Sequence, residues 1–249
     1  MGVLAVPWRF ARVLCRVLQG VWINATRLHR LDRPGRDAVV RRWATALLRD
    51  IGIEVRVTGT PQAGAVLFAA NHVSWLDIPV LHASEPRTRF VSKAAIAHWP
   101  MVGTLARAAN TLFIERERKR DAMRVVHEVA GALRADDAVA VFPEGTTGPG
   151  DGLLPFHANL LQAAIVTGTA VQPVVLRYSQ PGQRFSAAAR YCGNATLVGS
   201  VLRVIAARGM VAHVDFLPVE PAGETERRAL AAALRSRMER GLADSAARG

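Results

Sequence analysis

The chain has 249 residues, of which 50% are hydrophobic and 21% charged, so it can form one large or two small domains around a core of its own. This composition excludes intrinsic disorder and a collagen-like repeat. The 32 Lys and Arg residues exceed the 20 Asp and Glu residues, which gives a net charge of +12, and only Lys93 and Lys119 are lysines. The excess indicates an anionic partner: a nucleic acid, an anionic membrane surface or a phosphorylated substrate.

The N-terminal segment has the periodicity of an amphipathic helix. At about 100° per residue, its arginines fall on one face and apolar side chains cover the rest. This pattern predicts a helix lying in a membrane interface with its arginines toward the lipid headgroups, and a surface helix packed on its own core is the alternative. The longest uncharged run in this segment is too short to span a bilayer. The stripe consists of Arg9, Arg12, Arg16, Arg27 and Arg30.

The arginines interrupt the apolar run of this segment, so we expect no cleaved signal peptide. Cys15 and Cys192 lie far apart and in no metal-like spacing, which indicates a reducing compartment. A break at 31–35 precedes a second helix that we expect to end near Asp50. The two helices predict a membrane-associating hairpin over 1–51, followed by one domain over 52–249.

From Ile53 onward, short β-rich runs alternate with helical runs, which predicts an α/β fold whose sheet has helices on its faces. The C-terminal segment has the pattern of an amphipathic helix that closes this domain. We expect strands at 54–58, 65–69, 90–92, 111–114, 139–142, 171–176 and 211–216. We expect helices at 121–134, at 154–166 and from 224 to about 240.

A histidine and an aspartate follow the second predicted strand. On a continuous helix, positions five apart diverge by about 140°, so His72 and Asp77 meet only if His72 is in the loop and Asp77 in the first turn of the next helix. Ser74 would then be the N-cap. A carboxylate bonded to one imidazole nitrogen fixes the tautomer and makes the other a general base. The alternative is an ordinary Ser74–Asp77 capping box beside a loop histidine.

Two further clusters follow predicted strands. The first follows the strand at 139–142 and contains Glu144, Gly145 and Thr146. Backbone N–H groups left unpaired in a glycine-containing loop, together with hydroxyl groups, can bind a phosphate or an oxyanion. The second contains Arg116, which follows the strand at 111–114 and can bind an anion there. The alternative for the Glu144 cluster is a turn-rich surface loop, and the alternative for Arg116 is membership of a solvated run of charged residues.

Four segments together resemble the ordered motifs of the glycerolipid acyltransferase family: 71–77, 112–116, 142–146 and 171–174. The resemblance covers about residues 53–220 and points to bacterial 1-acyl-glycerol-3-phosphate acyltransferases as relatives. It implies an acyltransferase-like α/β sheet, and the two-helix membrane motif of that family matches the hairpin above. The implied reaction carries an acyl group from acyl-CoA or acyl-carrier protein to a lysophospholipid hydroxyl, most simply 1-acyl-glycerol-3-phosphate to phosphatidate.

The resemblance also implies roles for individual residues. His72 would deprotonate the acceptor hydroxyl, and Asp77 would orient the imidazole of His72. The implied reaction forms no covalent acyl-enzyme and uses no metal or other cofactor. Lys93 and Arg116 would bind the acceptor phosphate. The substrate-binding residues would also include Glu144, Gly145 and Thr146, and the stretch around Pro173 would line the acyl-donor side.

The family's third motif usually ends in a phosphate-binding arginine, and Thr147 stands at that position here. A lyso-ornithine lipid O-acyltransferase is therefore the alternative within the family. A lipid-binding relative that keeps the fold without catalysis is a further alternative, and a basic nucleic-acid-binding protein is the alternative outside the family. Neither fits the motifs as well. We expect membrane lipid and no nucleic acid as partner, at the cytoplasmic face of a bacterial inner membrane, with the oligomeric state left open.

Overall fold

The computed structural model describes residues 5–114, 119–223 and 226–248. Its α-helices are α1 Ala5–Thr26, α2 Arg33–Ile51, α3 Asp77–Ser84, α4 Val102–Ala108, α5 Lys119–Arg134, α6 Gln162–Thr167, α7 Leu197–Ala206 and α8 Arg227–Ala247. Its strands are β1 Ile53–Thr58, β2 Val66–Ala70, β3 Thr88–Lys93, β4 Leu112–Ile114, β5 Ala138–Val141, β6 Val171–Ser179 and β7 Met210–Phe216. Short 3-10 helices lie at Leu28–Arg30, Ala94–His98 and Ala158–Leu161.

The strands form one sheet in the order β1-β7-β6-β2-β5-β3-β4. The five strands from β6 to β4 run parallel to each other, whereas β7 is antiparallel to β6 and parallel to β1. The carboxyl ends of β2, β5, β3 and β4 therefore meet at one edge of the sheet. In open sheets of this kind, ligands bind beyond that edge.

Both faces of the sheet are covered, as a largely parallel sheet requires. Along β2, Phe68 packs into the core on the side of α2, α3 and α7, and Leu67 packs into the core on the side of α5, α6 and α8. The mixed α/β fold predicted from the alternation of strands and helices is therefore confirmed. The end of α2 takes part in this core through Leu47 and Ile51, while a division of the chain at residues 51 and 52 stays a prediction.

All seven predicted strands are present, and their ends lie within a few residues of the predicted ones. The predicted helix over 154–166 is wrong in its first four residues, since helical structure begins only at Ala158. The backbone N–H groups of Leu154 and His157 donate instead to Glu144 and to the carbonyl oxygen of Pro143. These bonds hold the segment against the loop after β5, so it cannot continue a helix.

The predicted direction of the N-terminal arginines is wrong for three of the five. The guanidinium groups of Arg12 and Arg16 bind the carboxylate of Asp50, which is only 2% exposed, and Arg9 donates to carbonyl oxygens at the end of α7. A buried carboxylate needs charged partners, and the carboxyl end of a helix favours a cation. These arginines therefore face the protein. Further along, Arg27 lies over the ring of Trp22, 5.0 Å from its centroid.

The opposite side of α1 exposes apolar side chains. Trp8 is 66% exposed and Trp22 is 52% exposed, and Leu14 and Leu18 lie on the same outward side. On the inner side, α1 approaches α2 closely at Gly20, where an added Cβ would lie 2.6 Å from Nε1 of Trp43. Among the described residues, no helix is both long and apolar enough to cross a membrane.

Candidate active site

The loop after β2 is fixed at its start by Asn71. Its side-chain amide donates to the carbonyl oxygen of Leu176 at 2.9 Å and accepts from the N–H of the same residue at 2.7 Å. The chain then turns, and α3 begins at Asp77. As predicted from their spacing, His72 lies in the loop and Asp77 in the first helical turn, and Nδ1 of His72 is 2.7 Å from Oδ2 of Asp77.

The carboxylate of Asp77 is fully buried and surrounded by donors. Its Oδ2 accepts the N–H groups of Val73 and Ser74 at 2.7 and 3.0 Å. Its Oδ1 accepts the hydroxyl of Tyr178 at 2.6 Å. Burial, followed by the charge of Asp77, raises the pKa of Tyr178 well above the usual tyrosine value, so the phenol stays protonated and donates.

The predicted N-cap role of the Ser74 side chain is wrong. Its Oγ is buried without a hydrogen-bond partner in the described part of the chain, and only its N–H takes part in the Asp77 network. Of the two hydrogen bonds of a capping box, only the one from the Ser74 N–H to the Asp77 carboxylate is present. This bond helps to hold the carboxylate that faces His72. Oδ2 of Asp77 orders the loop and the imidazole at the same time.

The imidazole of His72 stacks on the ring of Phe142, with centroids 3.9 Å apart and the planes at 14°. The side chain is 21% exposed, and within the described residues its Nε2 has no hydrogen-bond partner. A carboxylate opposite Nδ1 favours a proton on that nitrogen, which leaves the lone pair of Nε2 pointing away from Asp77. The ring is thus held by two contacts and open at the nitrogen that a base requires.

Glu144 joins the loops that follow β2 and β5. Its buried carboxylate accepts the N–H of His72 through Oε1 and the N–H of Leu154 through Oε2, both at 2.8 Å. Burial raises the pKa of Glu144 above the usual range, while the two backbone N–H bonds act in the opposite direction. The carboxylate therefore holds the backbone of His72 in place.

The residues after Glu144 form a turn. The N–H of Gly145 donates to the carbonyl oxygen of Phe142 at 3.0 Å, and its φ of +70° suits glycine. Thr146 is exposed, whereas the hydroxyl of Thr147 donates to the carbonyl oxygen of Tyr191. The side chain at the position of the missing arginine thus ties the turn to the segment before α7.

One of the two predicted phosphate-binding residues, Lys93, lies farther along the same edge. Lys93 is the last residue of β3, is exposed, and lies two strands from β2, about 10 Å away at the usual strand spacing. The pairing register places it level with Asn71, directly before His72. Arg116 lies outside the described residues, two positions beyond the end of β4. Pro173 is buried within β6, paired with Ala69.

An apolar cavity of about 280 Å³ lies behind the His72 loop, between α1, α2, α3 and α4. Trp75 from the loop and Phe90 from β3 both line it, and Phe90 stacks with Phe142, the ring beneath His72, at 6.0 Å. This volume is close to the lower end of the range for ligand pockets, about 300 to 1,000 Å³. The cavity therefore adjoins the candidate base through two aromatic rings.

A second, polar cavity of about 490 Å³ lies at the opposite edge of the sheet, where β3 begins. Its arginines Arg33 and Arg89 already form ion pairs with Asp137. It is remote from His72 and offers no reactive pair. In the described ranges, no three His, Cys, Asp or Glu side chains come together as a metal site.

Tyr178 and Phe142 belong to this site although no role was predicted for either. The expected strand over 171–176 stops before Arg177, a charged residue that the fold buries and bonds to Ser245. Continuing the alternation through it would have placed Tyr178 on the face of Leu176. The stacking of Phe142 on His72 depends on neighbouring strands that are far apart in sequence, and no local pattern indicates it.

Residues 53–177 match the acyltransferase family model. The chain belongs to this family and is an O-acyltransferase. Its relatives include a lyso-ornithine lipid O-acyltransferase of Pseudomonas aeruginosa, 35% identical over 93% of this chain and 91% of that protein. They also include a 1-acyl-sn-glycerol-3-phosphate acyltransferase of Neisseria gonorrhoeae, 35% identical over 87% of this chain and 86% of that protein.

The fold is also that of a solved structure. The crystal structure of the 1-acyl-sn-glycerophosphate acyltransferase PlsC from Thermotoga maritima has a TM-score of 0.65 and 19% identity, over 95% of this chain and 97% of that one. The family model and the two relatives confirm the resemblance to the glycerolipid acyltransferases, and the solved structure shows the same fold. Because two relatives of equal identity differ in the acceptor they are named for, identity alone does not select the acceptor.

Proposed function

We propose that the chain transfers a fatty acyl group from acyl-CoA or acyl-carrier protein to the hydroxyl of 1-acyl-glycerol-3-phosphate, giving phosphatidate. The observation that carries this proposal is the His72–Asp77 pair, with Nδ1 held at 2.7 Å and Nε2 open. Nε2 takes the proton of the acceptor hydroxyl as its oxygen attacks the thioester carbonyl. The C–S bond breaks, and the imidazolium returns its proton to the leaving thiolate.

Asp77 acts in this scheme without touching the substrate. It keeps His72 in one tautomer and stabilises the imidazolium that forms during the transfer. Its other donors, the N–H groups of Val73 and Ser74 and the hydroxyl of Tyr178, keep the carboxylate in one position. A thioester is reactive enough that a positioned base is the main requirement, so the proposed reaction uses neither a metal nor a covalent acyl-enzyme.

The acceptor phosphate is proposed to lie beyond the carboxyl ends of β3 and β4. Lys93 is exposed there, and Arg116, which lies outside the described residues, follows β4 by two positions in the sequence. A phosphate bound by both would keep the glycerol hydroxyl near His72. Glu144 and Gly145 would form the adjoining wall through the turn they stabilise, with Thr146 exposed at its tip.

A specific observation favours lyso-ornithine lipid as a second candidate acceptor. The hydroxyl of Thr147 is occupied by the carbonyl oxygen of Tyr191, so this position supplies neither a charge nor a free donor to a phosphate. A charge-assisted hydrogen bond contributes about 1.5 to 3 kcal/mol, which lowers the expected preference for a phosphate headgroup. One relative at 35% identity is named for this acceptor.

The apolar cavity behind the His72 loop is proposed to hold an acyl chain during transfer. Apolar side chains form most of its wall, among them Val17, Leu47, Ile78 and Leu105. Phe90 and Trp75 separate it from the reactive edge, so a chain within it would reach His72 past these rings. Burying methylene groups there contributes about 0.8 kcal/mol for each.

The outer face of α1 is proposed to bind the membrane surface that carries the lipid acceptor. Its support is the exposed apolar row of Trp8, Leu14, Leu18 and Trp22, since tryptophan and leucine are favoured at the headgroup boundary. Because three stripe arginines bind the protein instead, this contact would be chiefly apolar. The proposed location is the cytoplasmic face of a bacterial inner membrane.

The acceptor is tested by giving the purified enzyme lysophosphatidate and lyso-ornithine lipid side by side with acyl-CoA, and by identifying products by mass spectrometry. We expect phosphatidate from the wild type and none from His72→Ala, while His29→Ala, which changes an exposed histidine, keeps full activity. Transfer only to lyso-ornithine lipid would select the second candidate. Full activity of His72→Ala would contradict the mechanism.

Membrane binding is tested by sedimentation with vesicles of anionic phospholipid. The double variant Trp8→Ser, Trp22→Ser is expected to lose binding at both low and high salt, because apolar contacts are not screened. Met123→Ser is the control, since Met123 is 75% exposed on α5, across the sheet from α1. Release by salt alone, with the double variant unaffected, would contradict an apolar contact.

A further inference from the structure

One polar side chain lies at the wall of the apolar cavity. His82, in the last turn of α3, lines the cavity and is only 5% exposed. Its ring meets the edge of Phe90, with centroids 4.9 Å apart and the planes at 82°. In the described part of the chain, neither Nδ1 nor Nε2 has a hydrogen-bond partner. An imidazole with both nitrogens unsatisfied is unusual in a core.

Such a group is costly for the fold. Native proteins pair most of their buried polar atoms, and an unpaired one loses its hydration without compensation. Burial lowers the pKa of His82 to about 4, so the ring is neutral near pH 7 and offers one donor and one acceptor. Leucine or phenylalanine would fill the same position without this cost. The histidine is therefore best explained by a ligand group that bonds to it.

We propose that the cavity binds a hydroxylated acyl chain, whose hydroxyl group is recognised by His82. A hydroxyl is small, is neutral and carries both a donor and an acceptor, which matches a neutral imidazole. A charged ligand group would lose its hydration against the apolar wall that Val17, Ile78 and Leu105 form. This proposal rests on the proposed acyl transfer and adds a choice among acyl chains.

The experiment compares hydroxytetradecanoyl-CoA isomers, with the hydroxyl at successive carbons, against unsubstituted tetradecanoyl-CoA. We expect one isomer to exceed its parent in kcat/KM by about tenfold, as a gained hydrogen bond to a buried polar group predicts. In His82→Leu this ratio is expected to fall to about one. A second arm uses an unsubstituted donor with lysophosphatidate whose own acyl chain is hydroxylated, and shows which substrate supplies the chain.

Two further variants separate recognition from packing. His82→Asn keeps a donor and an acceptor and is expected to retain part of the preference. His127→Leu removes an exposed histidine on α5, across the sheet, and is expected to leave the ratio unchanged. The melting temperature of His82→Leu is expected to equal or exceed that of the wild type, because an unpaired polar group is removed.

Three outcomes would overturn the proposal. One is a wild type that prefers no hydroxylated chain in either arm, and another is a preference that survives in His82→Leu. A melting temperature about 5 °C lower in His82→Leu would show that the histidine bonds within the protein. In each case transfer of unsubstituted chains still supports the proposed function, whereas inactivity with every donor and acceptor overturns both.

Discussion

The hydroxyl of Tyr178 donates a 2.6 Å hydrogen bond to Oδ1 of Asp77, the carboxylate whose Oδ2 faces His72. Tyr178 lies on β6 and Asp77 at the start of α3, so the contact joins the sheet to the helix that carries the partner of the candidate base. It is formed in a fully buried environment, where an unmet acceptor is costly. Tyr178 is therefore a positioning residue for the proposed base.

We expect Tyr178→Phe to lower kcat about three- to tenfold and the free energy of unfolding by about 1 to 3 kcal/mol, because a buried carboxylate oxygen loses its donor. Steady-state kinetics and urea unfolding measure these effects. Tyr191→Phe is the matched control, and equal effects in both variants would contradict a role for the Asp77 contact.

Asp77→Asn is expected to lower kcat by about 10³ to 10⁴. The amide presents an oxygen to only some of the present donors, so His72 no longer keeps a proton on Nδ1 with Nε2 free. Kinetics with lysophosphatidate and acyl-CoA measure the loss, and circular dichroism verifies the fold. A folded Asp77→Asn variant within tenfold of wild-type kcat would show that His72 does not depend on this carboxylate.

Glu144→Gln tests the bond between the loops after β2 and β5. The amide NH₂ would face one of the two N–H donors, His72 or Leu154, so one hydrogen bond is lost and a buried N–H is left unpaired. We expect a loss of about 1 to 3 kcal/mol in the free energy of unfolding and a lower kcat. Glu128→Gln, at an exposed position, is the control for denaturant unfolding and kinetics. A higher KM with unchanged stability would instead indicate direct contact with the acceptor.

Asp50→Asn tests the attachment of α1 to the domain. The side chains of Arg12 and Arg16 lose their buried counter-charge but remain 41% and 23% exposed, so we expect a moderate cost of about 1 to 3 kcal/mol. Limited proteolysis between α1 and α2 should become faster. Asp151→Asn removes an exposed ion pair with Arg190 and should change stability by less than about 1 kcal/mol. Equal stability of both variants would mean that the ion pairs with Asp50 do not contribute to holding α1.

The stability of the fold is expected to decrease on acidification partly through His82. Its pKa is about 4 in the folded chain against the ordinary 6.5, so in this interval the unfolded chain binds a proton that the folded chain does not. The contribution of His82 to the free energy of unfolding has its maximum above about pH 6.5. It falls by about 3 kcal/mol as the pH decreases to 4.

Denaturant unfolding from pH 7 to pH 4 measures this loss in the wild type and in His82→Leu. The variant should lose less stability over the interval. His213 is shifted in the same direction by burial and contributes equally to both proteins, so the difference isolates His82. Parallel curves of stability against pH for the two proteins would show that His82 takes up its proton as readily in the folded chain as in the unfolded chain.

The alternation of strands and helices and the spacing of His72 and Asp77 can be interpreted from sequence because they are local. Hydrophobic periodicity sets each element, and a five-residue interval limits where a helix can begin. The seven strands, the loop position of His72 and the family follow from such information. The outward apolar face of α1 also has a local pattern.

The tertiary structure alone decides contacts between residues that are distant in the chain. It turns Arg12 and Arg16 toward Asp50, because a buried carboxylate needs partners that no helical wheel includes. It also joins Tyr178 to Asp77 and leaves His82 unpaired beside Phe90. Hydrogen bonding and burial depend on which surfaces the sheet order brings together. The sequence therefore determined the candidate pair of His72 and Asp77, while folding determined the contacts that hold it.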